Sequence, residues 1–122
     1  MPVFSRMRDG VLVLTVDGDF TANELHRVGF EALEGEDAPM RLPILLDLSG
    51  AAGVSNKPPG ELARTGAIFA AHRDRLTGIA VVAAGDVSSL FDGQSDFAHE
   101  AGVRVQAFAS HDDARSWLLE AS

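Results

Sequence analysis

Three near-continuous apolar runs set the pattern of this chain: Val11 to Val16, Ile44 to Leu48 and Ile79 to Ala84. Runs of this length that stop at turn residues read as strands buried on both faces, as parallel strands covered by helices are. The middle run lies within Pro43-Ile44-Leu45-Leu46-Asp47-Leu48-Ser49-Gly50 and leads into the loop Ala51 to Gly60, so it predicts a central strand feeding an exposed loop. Loops beyond the carboxyl ends of such strands are where open α/β sheets tend to bind other molecules.

The remaining elements fall between these runs. Val3 to Met7 predicts a first strand, and the Asp9-Gly10 pair behind it favours a tight hairpin, so it should pair antiparallel with Val11 to Val16. Gly18 to Thr21 breaks that strand, and Thr21 with Glu24 three residues on forms a capping box for a helix over Ala22 to Leu33. Leu25, Val28, Phe30 and Leu33 supply its apolar stripe, and Glu34 to Pro39 is an ordinary connecting loop.

Beyond the central strand, Glu61 to Leu76 predicts a helix, with Leu62, Phe69 and Leu76 at heptad spacing and small alanines beside them. Gly78 to Ala84 is the next strand, its small side chains letting a helix approach closely. Gly85 to Ser89 turns into a helix that runs to a glycine stop at Gly102, and Val103 to Phe108 alternates as an edge strand does. Ser110 caps the last helix above an acidic first turn, Asp112-Asp113, and Ala114, Trp117, Leu118 and Ala121 form its buried face. The order ββαβαβαβα predicts an α/β domain: a mixed, mostly parallel five-stranded sheet with about four helices and right-handed crossovers.

At 122 residues the chain is a single domain by length, residues 1–122. A formal charge of −8 disfavours phosphate backbones and anionic lipid as partners, so nucleic acid is not expected. The absence of cysteine removes disulfides, thiolate metal sites and thiol nucleophiles, and fits a reducing compartment. No stretch has the length of a membrane span, the first residues lack the apolar run of a signal peptide, and a cytoplasmic location is expected.

With that order in place the chain resembles the STAS domains, the modules named after sulphate transporters and anti-sigma-factor antagonists, and more narrowly their SpoIIAA-like group. The residues that carry the resemblance are Val11 to Thr21, Ile44 to Gly50 with its Asp-Leu-Ser-Gly ending, Ile79 to Ala84, and Val105 to Leu118 with Ser-His-Asp-Asp-Ala and a Trp-Leu pair. The resemblance spans nearly the whole chain, though each motif alone is unspecific. It implies a small sheet with helices mainly against one side, and a regulatory role through protein–protein interaction rather than catalysis.

In antagonist members a serine at the start of the helix after the central strand is phosphorylated, which changes a docking surface through added charge. Here that turn reads Ser55-Asn56-Lys57-Pro58; the family's serine positions fall on Asn56 and Lys57 and its glycine on Pro58. The switch motif is absent as written. Ser55 is the nearest hydroxyl and the candidate phosphosite, although a loop serine in a local turn hydrogen bond is the commoner case. The expected docking surface comprises Ser49, Ser55, Asn56 and Lys57, with a partner protein as occupant and no cofactor; a homodimer is the alternative assembly of the chain itself.

Two other readings compete. Asp17-Gly18-Asp19-Phe20-Thr21 resembles the Asp-x-Asp-x-Thr loop of haloacid-dehalogenase-type phosphatases, which use Mg²⁺ and an aspartate nucleophile. Asp17 and Asp19 would be its acidic pair, with Ser49 and Lys57 holding phosphate, but only Asp86 follows the next strand where a pair is needed, and a plain turn before a capped helix explains the motif. Phe4, Phe20, Phe30, Phe69, Phe91, Phe97 and Phe108 with Trp117 read as core; a small apolar-ligand (lipid) carrier is the alternative, since the SpoIIAA-like outline is similar to that of Sec14-type lipid carriers. His26, His72, His99 and His111 show no metal-ligand spacing and are expected to face solvent, and Asp112-Asp113 suits a helix start better than paired-carboxylate catalysis.

Overall fold

The computed structural model describes residues 3–8, 10–19, 21–33, 42–51, 64, 67, 69–71, 74, 76–83 and 104–120. Five strands form one sheet in sequential order. Strand β1 (Val3–Arg8) pairs antiparallel with β2 (Val11–Gly18), while β3 (Leu42–Ala51), β4 (Leu76–Val82) and β5 (Val105–Phe108) join in parallel. Helices α1 (Ala22–Leu33) and α2 (His111–Glu120) complete the described elements. None of the described helices is long and apolar enough to cross a membrane.

The expected hairpin is present. Arg8 pairs with Val11, and Gly10 before Val11 takes a φ of 82° that a side chain would oppose. At the far end of β2, the Thr21 hydroxyl accepts the Glu24 amide at 3.2 Å and donates to the Glu24 carboxylate at 3.3 Å, so the Thr21 cap starts α1 where the sequence places it, with Glu24 bonded to the hydroxyl and not, as in a full capping box, to the Thr21 amide. Replacing Thr21 by alanine is expected to cost about 1 kcal/mol in urea unfolding. A change below about 0.3 kcal/mol would mean that α1 is held by packing alone.

The continuous apolar runs have the predicted cause, because residues of the central strands are buried on both faces. On one face Leu14, Ile44, Leu46 and Val81 form the larger core cluster, with Leu25 and Val28 of α1 and with Phe69. On the other, Val13, Leu45, Ala80 and Val82 meet Ala114 and Leu118 of α2. The small side chain of Ala80, fully buried, lets α2 come close, as the short side chains of that run predict. Trp117 flanks this cluster, 5.6 Å from the Phe108 ring and under the Arg104 guanidinium at 4.8 Å.

Several boundaries differ from the periodicity, with β1 running on to Arg8 and β2 to Gly18. Leu76 opens β4 and pairs with Leu42 instead of ending a helix, β4 stops at Val82, and β5 begins at Val105 and not at Val103. A heptad coincidence with Phe69 made Leu76 look helical; its burial in the sheet accounts for the same apolar side chain. The predicted helix over Glu61 to Leu76 is described only at scattered residues, among them a helical bond from the Ala71 amide to the Ala67 carbonyl at 3.1 Å. The helix expected up to Gly102 lies outside the described residues.

Candidate functional site

Strand β3 is the third of five, so its carboxyl end opens at the middle of the sheet. It runs on through Ser49, Gly50 and Ala51, residues expected at or beyond the strand's end. Against β2 the register slips there: Thr15 pairs with Asp47 but Asp17 with Gly50, so Leu48 and Ser49 together oppose Val16. Such a bulge bends the strand and re-aims side chains at its end. The strands approach closely at Gly50, where a Cβ would lie 3.3 Å from the Val16 carbonyl oxygen and 3.4 Å from Asp17 Oδ1 and would press its neighbours aside by a few tenths of an ångström.

Asp47 is the one charged residue within the apolar part of β3, and at 8% exposure it is the buried charged residue among those described. Burying a carboxylate is costly unless its oxygens are bonded. Oδ1 accepts the Ser49 amide at 2.9 Å and the Ser49 hydroxyl at 2.6 Å. Oδ2 lies 2.6 Å from Nε2 of His111, the first residue of α2. Burial by itself pushes the Asp47 carboxyl up from its ordinary 3.8, but the Ser49 hydroxyl, the Ser49 amide and the His111 imidazole outweigh it and hold the group lower.

His111 is held by the cap of α2, where the Ser110 hydroxyl accepts the Asp113 amide at 3.2 Å and the Ser110 carbonyl accepts the Ala114 amide at 3.2 Å. The expectation of a solvent-facing histidine is half right: its side chain is 48% exposed, yet one ring nitrogen is committed to Asp47. The signal for this contact was a lone aspartate inside a buried strand, which demands a partner from elsewhere in the chain.

The order of the links limits the chemistry. In a nucleophilic triad the histidine stands between hydroxyl and carboxylate; here the carboxylate stands between Ser49 and His111. The Ser49 proton points at a carboxylate held ionised, which is a poor base. The arrangement works as a clamp that fastens the exit of β3 to the start of α2.

Of the residues singled out in the sequence, Ser49 is at this exit and exposed. Ser55, Asn56 and Lys57 lie outside the described residues, as do Asp86, His72, His99 and the side chain of His26. Asp17 is exposed at the end of β2 beside Gly50, and Asp19 is exposed just beyond. Among the described residues no three His, Asp or Glu side chains gather as a metal ion would require.

The fold is SpoIIAA-like, a mixed, mostly parallel five-stranded α/β sheet as the sequence resemblance implies, but the described helices α1 and α2 cover opposite faces where helices mainly against one side were expected. The chain is similar to a solved structure of an uncharacterized protein from the DUF3478 family with a SpoIIAA-like fold, from Shewanella loihica PV-4. The two share 14% identity, and the match covers 95% of this chain and 91% of that one with a TM-score of 0.61. No family profile and no curated protein matches the sequence.

Proposed function

We propose that this domain is a non-enzymatic regulatory module that binds a partner protein at the exit of β3, through Ser49 and the residues leading into the following helix. The observation that supports it is the Asp47 clamp. Both carboxylate oxygens are occupied by Ser49 and His111, so the one buried ionised group of the described residues is spent on holding a surface in shape. A rigid, exposed strand end needs little ordering when a partner docks, and that favours recognition.

The test begins with partners captured from a lysate on the immobilised domain and purified for two-component titration calorimetry. Ser49→Arg, at the rim, is expected to weaken binding at least tenfold, about 1.4 kcal/mol. Gln106→Arg, at an exposed position of β5, should leave it unchanged. Equal effects of the two substitutions would place docking elsewhere. Divalent-metal-dependent hydrolysis of a phosphate ester, lost in Asp17→Asn, would overturn the reading in favour of a phosphatase.

A further inference from the structure

Helix α2 packs on β3, β4 and β5, and beside it over β1 and β2 lies a cleft of about 100 Å³. Its floor is apolar, made by Val11, Val13 and Leu45. Its walls are basic: Arg6 and Arg8 rise from β1, and Arg115 with His111 from α2.

The register explains the convergence. Arg6 pairs with Val13 and Arg8 with Val11, so both arginines stand on the face that carries this floor, about 7 Å apart along the strand. His111 and Arg115 are four residues apart and share one side of α2. Val11 and Val13 are only 1% and 5% exposed, which fits arginine stems lying over them.

The charge of this cleft runs against the overall balance of the chain. The chain carries 18 acidic residues against 10 Lys and Arg, yet three arginines meet here with Asp112 as the one acidic residue of the lining. Among the described residues Arg6 and Arg8 have no carboxylate within ion-pair distance, while Arg115 is already in contact with another group of the chain and serves as a fixed wall. Guanidinium groups present planar donor pairs that match an oxyanion.

We propose that this cleft binds a small organic anion, a phosphate or carboxylate on a short apolar body, with the oxyanion on the guanidinium groups of Arg6 and Arg8 against Arg115 and the body along the arginine stems that cover Val11 and Val13. The cleft shares His111 with the Asp47 clamp, but the proposal does not rest on the docking role above.

Titrations followed by ¹H–¹⁵N NMR, with phenyl phosphate, benzoate, inorganic phosphate and sodium chloride at matched ionic strength, test it. Phenyl phosphate or benzoate should give saturable shifts at Arg6, Val11, Val13 and His111 to Arg115, with a Kd of about 1 mM or tighter. The better of the two names the anion class. Arg6→Gln with Arg8→Gln should weaken binding at least tenfold, and Arg115→Gln gives a second variant independent of β1. Arg64→Gln, which bonds Asn23 near α1, should not change it. Shifts no different from those with sodium chloride, an inorganic phosphate response equal to that of phenyl phosphate, or undiminished binding in both folded arginine variants would overturn the proposal.

Discussion

Leu46→Ala is expected to destabilise the domain by about 3–4 kcal/mol, through lost transfer energy and the cavity left behind. Leu46 is 1% exposed and paired on both sides, to Leu14 of β2 and Val81 of β4. Two flanking strands and their own buried neighbours leave little room for collapse around the missing atoms. A domain of this size has a total stability of roughly 5–15 kcal/mol, so the variant should unfold at a much lower urea concentration with little change in m-value. Phe4→Ala, on edge strand β1 at 56% exposure, should move stability by no more than about 0.5 kcal/mol. Similar effects at the two positions would mean that β3 is not the centre of the sheet.

That contrast follows a distinction that the sequence already carries. Strands covered on both faces are apolar at nearly every position, so Val11 to Val16, Ile44 to Leu48 and Ile79 to Val82 announce themselves without periodicity, and the exception Asp47 stands out. Local chemistry marked the hairpin at Gly10 and the caps at Thr21 and Ser110, because their partners lie within three residues. The clamp was legible only in part. Asp47 and Ser49 are neighbours in one motif, but His111 is 64 residues from Asp47, and no local rule connects them. The arginine cleft was hidden for a like reason: Arg6 and Arg8 look like solvated edge-strand residues until the register sets them across from Arg115. Leu76 shows the converse failure, an apolar residue whose spacing fitted a helix while the sheet claimed it.

Asp47→Ala is expected to cost about 2–3 kcal/mol, because it strips three hydrogen bonds from an ionised acceptor at once. Ser49→Ala and His111→Ala should each cost about 1 kcal/mol, and their effects should not add to that of Asp47→Ala, since all three remove parts of one network. The pH dependence has a definite sign. Asp47 is held below its ordinary 3.8 in the folded chain, so the unfolded chain binds the proton more readily between the two values. Its contribution to stability is therefore complete above 3.8 and drains away as pH falls through the folded value. Asp47→Asn cannot titrate, so the stability difference between wild type and this variant, followed by chemical unfolding, should be constant near neutrality and shrink below about pH 4. A difference that grows below about pH 4 would mean that the folded chain takes up protons more readily than the unfolded one there, which contradicts an Asp47 carboxyl held low by the clamp.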